Sequence, residues 1–400
     1  MEKVNPITPI DAARLARAVY LLVQESTPER AMKTLKADFD YMLDFADAKP
    51  MMGRTGGKSK VWSTRTGMAV VLKGKGPFKG QLFVVFRGTK ILADLLTDGS
   101  VTSTKSANHH PVHAGFFRAF LSLLREIWPL IREANDCRVV HCIGHSLGGA
   151  LATLCAEYIA LRKSTLHSIL YTFGSPRVGL EAYVCDLARR LHPSNIYRVY
   201  HPSDIITCIP PWPYYHVPPN ARAFEVGSAG LVPMMKYHAM ARYVTFNGMD
   251  SPSWKQLQGL SSGMFSDHQI MQWLKRQPEV GFFTRNIERL GRAISLFLRR
   301  MIRAGMTVAA MLSSYALGSN VGTLDQIAYL LHSSKNLSAE LGQFARAVIG
   351  HAMALLGMAP LRHGMELTHD FIRDVLIRVM DRANMLARQT LHQTLNRRLG

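Results

Sequence analysis

Acidic residues are scarce in this chain of 400 residues. Against 28 aspartates and glutamates stand 48 lysines and arginines, which gives a net charge of +20. Such an excess attracts polyanions, either nucleic acid or an anionic membrane surface. The sequence also lacks zinc-finger spacing and the aromatic signature of RNA-binding modules. We therefore expect an anionic membrane surface as a partner, and no nucleic acid.

A secretory signal is not visible either. The first residues lack a basic region followed by an uninterrupted apolar one, and they favour an amphipathic helix capped near Thr8 or Asp11. The five cysteines are odd in number and lie mostly in apolar stretches, so we expect buried free thiols and a reducing compartment. These features predict a protein that is cytoplasmic in the producing cell and acts at membranes, with export by a dedicated secretion system as one route.

The pattern of the chain changes near residue 280. Before it, apolar strand-like runs alternate with helical stretches, which predicts an α/β fold with a mostly parallel sheet covered on both faces. After it, strand patterns vanish, helical periodicity dominates, and Lys335 is the single lysine among 14 arginines. We therefore divide the chain into an α/β domain, residues 1–279, and a helical C-terminal region, residues 280–400.

Two uncharged runs interrupt this C-terminal region. Residues 304–324 are long enough to cross a bilayer, but serines, an asparagine and glycines make the run poorly apolar. Residues 347–361 form a shorter uncharged run that includes His351. We favour a buried helical hairpin, with membrane-contacting helices and a transmembrane span as alternatives.

The most informative motif is a Gly-x-Ser-x-Gly turn centred on Ser146. An apolar strand-like run, residues 139–143, precedes it, and a helix-forming run follows directly. Strand, sharp turn and helix in this order are typical of a nucleophile elbow, in which one serine hydroxyl stands above a sheet. Gly144 and Gly148 leave no side chain to clash where the chain reverses. The motif predicts Ser146 as a nucleophile.

A serine nucleophile needs a base and a carboxylate that orients the base. Asp204 follows the strand-like run 196–200 and would lie at the carboxyl edge of the sheet, so it is the candidate acid. Three histidines could serve as the base: His216, His238 and His268. His268 opens a helix-like run at the end of the α/β part, so it can be presented from a loop or a helix start.

The oxyanion of a tetrahedral intermediate also needs hydrogen-bond donors. The backbone N–H of Leu147 directly follows the nucleophile. A second donor is expected after an early strand, where Thr89 offers both its N–H and its hydroxyl.

Five blocks of sequence resemble the class 3 lipases, the fungal-lipase-like α/β hydrolases. They occur in the family's order over roughly residues 8–276, and they are residues 86–89, 112–116, 144–150, 172–179 and the Asp204 loop ending at Ile209-Pro210-Pro211. The resemblance implies an α/β-hydrolase fold. It also implies a triad of Ser146, Asp204 and His268.

The same resemblance implies further roles. Thr89 and Leu147 would be the oxyanion donors, and Asp94 would support the Thr89 loop. His113 and His216 match positions that look structural in the family. The cluster of His109, His110 and His113 lacks a fourth well-spaced ligand, so we expect no metal and no cofactor.

These inferences predict a serine lipase or phospholipase that cleaves carboxylic ester bonds of membrane lipids through an acyl-enzyme. Phospholipid is favoured because of the net charge. One alternative is a membrane-binding or permeabilising protein that acts through its helical tail, and another is a soluble esterase or thioesterase. Some antibacterial lipase effectors resemble this family, and an effector of this kind would have an inhibitor (immunity) protein as a partner.

Overall fold

A computed structural model gives the arrangement of the chain. It describes residues 6–25, 27–46, 48, 50–55, 64–89, 92, 103–210, 213–219, 223–227, 235–260, 266–282, 284–303, 323–362 and 364–396. The fold is α/β, with a mixed sheet covered by helices on both faces, as the alternating pattern predicts.

Within the described residues, the strands are β1 (Leu43–Asp44), β2 (Pro50–Thr55), β3 (Thr64–Gly74), β4 (Gln81–Phe86), β5 (Ser103–Lys105), β6 (Pro111–His113), β7 (Val139–His145), β8 (His167–Phe173), β9 (Ile196–Tyr200) and β10 (Ala223–Glu225). Eight of them form the main sheet, in the order β1-β3-β4-β7-β8-β9-β10, with β2 also paired to β3. Strands β4, β7, β8, β9 and β10 are parallel, so their carboxyl ends meet at one edge. Strands β5 and β6 form a separate antiparallel pair.

Helices of the first part lie on both faces of this sheet. They are α1 (Pro9–Ala18), α2 (Leu21–Gln24), α3 (Pro28–Phe39), α4 (Ala114–Glu133), α5 (Leu147–Arg162), α6 (Glu181–Leu191), α7 (Met240–Thr245), α8 (Trp254–Leu260) and α9 (Asp267–Leu274). Thr8 caps α1 by accepting a hydrogen bond from the backbone N–H of Asp11, as expected from the sequence. Side chains of α1, α3, α7 and α8 fill the core on one face, and those of α4, α5 and α6 fill the core on the other.

The described part of the C-terminal region is helical. It comprises α10 (Thr284–Arg303), α11 (Thr323–Ser333), α12 (Ala339–Leu355) and α13 (His369–Asn396). Phe297, Val348 and Val375 from these helices belong to the same buried cluster as Val84 and Leu151 of the α/β part. The division into residues 1–279 and 280–400 stays a prediction, and its two parts share one continuous core.

The two uncharged runs differ in what the structure describes. Residues 304–322 of the first run lie outside the described residues. Much of the second run lies in α12, where Val348, Ile349 and Ala352 are fully buried. Within the described ranges, no helix is both long and apolar enough to cross a bilayer.

Candidate active site

Ser146 lies at a sharp turn between β7 and α5. Its backbone has φ 58° and ψ −130°, outside the regions that L-residues normally adopt. Its N–H donates to the carbonyl oxygen of Phe173 at 3.0 Å, and its own carbonyl accepts from the N–H of Gly149 at 2.9 Å. These bonds hold the strained residue, which presents its hydroxyl at the carboxyl edge of the parallel strands, as a nucleophile elbow does.

Gly144 and Gly148 are required by the close approach of backbone at this turn. A Cβ at Gly144 would lie 2.1 Å from the carbonyl oxygen of Gly148, and a Cβ at Gly148 would lie 2.3 Å from that of Phe86. Both distances are far below van der Waals contact. The two motif glycines therefore allow α5 to begin directly against the end of β4.

The hydroxyl of Ser146 is hydrogen-bonded to a histidine, and that residue is His238. The distance from Ser146 Oγ to His238 Nε2 is 2.9 Å, and His238 Nδ1 lies 2.9 Å and 3.0 Å from the two carboxylate oxygens of Asp204. A carboxylate only accepts, so Nδ1 donates to Asp204 and Nε2 accepts from the serine hydroxyl. All three side chains are buried, with exposed fractions of 3%, 2% and 0% for Ser146, His238 and Asp204.

The structure corrects the prediction of His268 as the base. His268 lies in the first turn of α9 with its side chain exposed, and its Nε2 is 3.4 Å from the side-chain amide nitrogen of Gln272. The start of α9, which suggested His268 as the base, faces solvent and not Ser146. His238, one of the three sequence candidates, instead follows the short 3₁₀ turn Met235–Tyr237.

Asp204 has two further hydrogen-bond donors that sequence reasoning missed. The hydroxyl of Tyr243 donates to Oδ2 at 2.7 Å, and the backbone N–H of Ile206 donates to Oδ1 at 3.0 Å. Burial first, and then the charge of Asp204, raise the pKa of Tyr243 well above its ordinary value, so this hydroxyl keeps its proton. Tyr243 lies in α7, 39 residues after Asp204, and no local sequence pattern links the two.

His145, the residue before the nucleophile, fixes the backbone of His238. Its Nε2 lies 2.7 Å from the carbonyl oxygen of His238, and its Nδ1 lies 2.7 Å from the hydroxyl of Tyr20. The carbonyl only accepts, so Nε2 carries the proton and Nδ1 accepts from Tyr20. Burial, followed by the neighbouring His238, lowers the pKa of His145 well below its ordinary value, which keeps the ring neutral.

The predicted oxyanion donors lie close to Ser146 along the chain or in space. Leu147 is fully buried and is the first residue of α5. A Cβ at Gly88, next to Thr89, would lie 2.9 Å from the Cβ of Ser146, so the loop after β4 reaches Ser146. Thr89 is half-buried. Asp94, the expected support of this loop, lies outside the described residues.

Helices of the C-terminal region pack against the segments that carry Asp204 and His238. Both α10 and α13 contact the 3₁₀ turn Ile205–Cys208, which directly follows Asp204. Helix α13 also contacts the turn Met235–Tyr237, which directly precedes His238. The helical region therefore supports the geometry of the site from outside the α/β part.

His113, which is buried, and His216, which is half-buried, lie apart from Ser146, His238 and Asp204. His113 caps α4 by accepting from the N–H of Phe116, and burial lowers its pKa to about 4. His216 Nε2 donates to the carbonyl oxygen of Thr207 at 2.7 Å. Burial, and then nearby arginines, lower the pKa of His216 well below its ordinary value. Both side chains hold backbone in place, which agrees with the structural roles implied by the resemblance.

This geometry can be compared with proteins of known family. Residues 83–214 match the family described as Lipase (class 3). The resemblance predicted from the motifs is confirmed. The matching segment is about a third of the chain, and it contains Ser146 and Asp204 but ends before His238.

Two curated relatives match parts of the chain. The secreted mono- and diacylglycerol lipase 1 of Fusarium solani is 36% identical over 114 residues, 27% of this chain and 33% of that protein. The toxin TseL of Vibrio cholerae is 31% identical over 172 residues, 42% of this chain and 24% of the toxin. The matched segments thus span a third or less of these relatives. A solved lipase structure from Rhizopus microsporus var. chinensis is 23% identical, with a TM-score of 0.40 over 55% of this chain and 74% of that one.

Proposed function

We propose that this protein is a serine hydrolase that cleaves carboxylic ester bonds of lipids through an acyl-enzyme. The observation that carries the proposal is the unbroken hydrogen-bond chain from Ser146 through His238 to Asp204. In acyl transfer, Ser146 Oγ attacks the ester carbonyl while His238 Nε2 takes its proton. His238 then gives the proton to the leaving alcohol, and water attacks the acyl-enzyme by the same route.

Asp204 and its neighbours would prepare His238 for this role. The carboxylate keeps the proton on Nδ1 and stabilises the imidazolium that forms during attack. Tyr243 and the N–H of Ile206 orient the carboxylate, while His145 holds the backbone of His238. The N–H of Leu147 and the N–H or hydroxyl of Thr89 would stabilise the oxyanion.

A membrane phospholipid is the substrate class that we favour. The net charge of +20 should concentrate the protein on anionic bilayers, where each nearby basic residue adds about 1 kcal/mol of binding. Ser146 and His238 are buried, so substrate would reach Ser146 through a movement of the segments that cover it, and contact with lipid would favour that movement.

The test is mass spectrometry of products after incubation with mixed vesicles of phospholipids and triglycerides. The wild type should release fatty acid and lysophospholipid, and Ser146→Ala should release neither while remaining folded by circular dichroism. Equal hydrolysis by Ser146→Ala would refute the serine mechanism. Release from triglyceride alone would refute the preference for phospholipid.

The match to a Vibrio cholerae toxin supports an extension of this proposal to an antibacterial effector. Such a protein would leave its cytoplasm of origin through a dedicated secretion system, attack the membranes of a competing cell, and be blocked by an inhibitor protein in the producer. Expression in a susceptible bacterium should arrest growth for the wild type and not for Ser146→Ala.

Permeabilisation through the helical tail is the rival function. Dye release from vesicles by full-length Ser146→Ala distinguishes the two, because that variant retains α10 to α13. Hydrolysis predicts no release by this variant, whereas release equal to the wild type would favour the rival. A soluble esterase or thioesterase would instead turn over short esters with no gain on adding vesicles.

A further inference from the structure

The imidazole of His201 stacks on two aromatic rings next to the proposed triad. His201 directly follows β9 and comes three residues before Asp204, and its exposed fraction is 1%. The centre of its ring is 4.3 Å from that of Tyr237 at an interplanar angle of 11°, and 4.7 Å from that of Phe246 at 28°. Close, nearly parallel rings of this kind attract each other and hold the imidazole in one orientation.

His201 also fixes the loop that carries Asp204. Its Nδ1 accepts from the backbone N–H of Ser203 at 3.0 Å, and its carbonyl oxygen accepts from the N–H of Asp204 at 3.0 Å. Its own N–H donates at 3.1 Å to the hydroxyl of Tyr243, which donates in turn to Asp204 Oδ2. The residue therefore supports both the backbone and, through Tyr243, the carboxylate of Asp204.

Tyr237 belongs to the segment that carries His238. It is the residue directly before His238 and the last residue of the turn Met235–Tyr237. The stack of His201 on Tyr237 therefore joins the chain just before Asp204 to the chain just before His238. It runs beside the hydrogen bonds from His238 Nδ1 to the carboxylate of Asp204.

The edge of the imidazole is enclosed as well. A Cβ at Gly227 would lie 2.7 Å from Cδ2 and 2.9 Å from Nε2 of His201. Gly227 has φ 73°, in the left-handed region that favours glycine. The backbone after β10 thus packs against the ring edge, so the imidazole has little room to slide between its neighbours.

We propose that His201 is a positioning residue, which sets the distance between Asp204 and His238 by stacking on Tyr237. The inference rests on the proposed function, because it assigns a role in supporting the same triad. Proton transfer requires hydrogen-bonding distances between the reacting groups, and a misplacement of about 1 Å can lower a rate about a hundredfold. A rigid ring in contact with both segments opposes such a displacement.

The first variant is His201→Asn in the full chain, which keeps a hydrogen-bond acceptor near the position of Nδ1 and removes the ring. We expect kcat for a p-nitrophenyl ester to fall at least about tenfold, because His238 is held less firmly against Asp204. KM should stay within about twofold, since the change acts on the reacting groups and not on ester binding. The kcat is expressed per folded molecule, with the folded fraction taken from circular dichroism.

Tyr237 provides the second half of the test. Tyr237→Leu removes the other ring of the stack and should lower kcat to a similar extent, while the conservative Tyr237→Phe should keep kcat within about twofold of the wild type. His201→Asn combined with Tyr237→Leu should fall little further than the more impaired single variant, because both changes break the same contact. Fully additive losses would contradict the role of the stack.

His141→Asn is the matched control. His141 is also buried and stacks on Phe83, with ring centres 4.5 Å apart at an angle of 18°. It lies in β7 five residues before Ser146, on the amino-terminal side of the elbow. The substitution should lower the melting temperature, as the loss of a buried ring does, and leave kcat per folded molecule within about twofold.

Failure of this role and failure of the proposed function give different results. A wild type that hydrolyses the ester no faster than Ser146→Ala would overturn the proposed function itself. If Ser146→Ala is inactive while His201→Asn and Tyr237→Leu lose no more kcat than His141→Asn, the positioning role is refuted and the function stands. If His201→Asn does not fold, Tyr237→Leu decides by the same comparison, because Tyr237 is only half-buried.

Discussion

At the residue scale, the account depends on which histidine serves Ser146. His238→Ala should lower kcat by at least about a thousandfold, because triad members act as a unit. His268→Ala should leave kcat within about twofold of the wild type, since its side chain faces solvent. Steady-state hydrolysis of a p-nitrophenyl ester measures both. Loss of activity in His268→Ala with retention in His238→Ala would reverse the assignment.

Tyr243 contributes to stability as well as to the position of Asp204. Tyr243→Phe should lower the free energy of unfolding by about 1.5–3 kcal/mol, because a buried hydrogen bond to a carboxylate is lost. Tyr183→Phe is the matched control, since the buried Tyr183 hydroxyl has no partner among the described residues. That variant should be neutral or slightly stabilised in urea unfolding. Equal effects of the two substitutions would contradict the role of Tyr243.

The sequence predicted part of this site and missed the rest for a physical reason. Ser146 and Asp204 were predictable because each directly follows an apolar strand, which sets where the side chain emerges. The sequence around His238 has neither strand nor helix periodicity, so no pattern places it. The contacts of Tyr243 and of Tyr20 with the site join residues far apart in sequence, and they are visible only after folding.

At the element scale, the junction of β7, α5 and β4 leaves no room for a methyl group. Gly148→Ala should abolish activity and destabilise the fold, because its Cβ would lie 2.3 Å from the carbonyl oxygen of Phe86. Gly259→Ala, in α8, is the control, because no atom of the described residues lies within 4 Å of its Cβ. That change should stabilise the protein by about 0.5–1 kcal/mol in thermal or urea unfolding. A stable, active Gly148→Ala would contradict the elbow.

Elements were more predictable than their contacts. The predicted strand-like runs at residues 139–143 and 196–200 fall in β7 and β9, because strands buried on both faces are mostly apolar. The turns near residues 205–208 and 235–237 depend on packing by α10 and α13, which local sequence does not encode.

At the scale of the whole molecule, buried histidines make stability depend on pH. Burial lowers the pKa of His113 to about 4 and that of His141 to about 3. It also lowers the pKa values of His145 and His216 well below the ordinary value of 6.5. The unfolded chain then binds more protons than the folded one below pH about 6.5. The free energy of unfolding should therefore fall as the pH drops from about 6.5 towards 4.

Glu157 opposes this trend but is outnumbered. Burial raises its pKa to about 7, so the folded state binds this proton more readily than the unfolded chain does. The contribution of Glu157 to the free energy of unfolding therefore grows as the pH falls from about 7 towards 4.5. Because four histidines oppose one glutamate, the free energy of unfolding should still fall as the pH drops. Urea unfolding at pH 7 and pH 5 measures it, and equal or greater stability at pH 5 would contradict the burial of neutral histidines.

The central claim is that Ser146 is the nucleophile of an acyl-enzyme, activated by His238. Intact-protein mass spectrometry after treatment with a p-nitrophenyl alkylphosphonate tests it directly, because the serine oxygen displaces p-nitrophenolate and keeps the phosphonyl group. We expect one adduct, located on the peptide that contains Ser146, absent from Ser146→Ala and formed far more slowly in His238→Ala. An unmodified wild type, or an adduct that persists in Ser146→Ala, would contradict the claim.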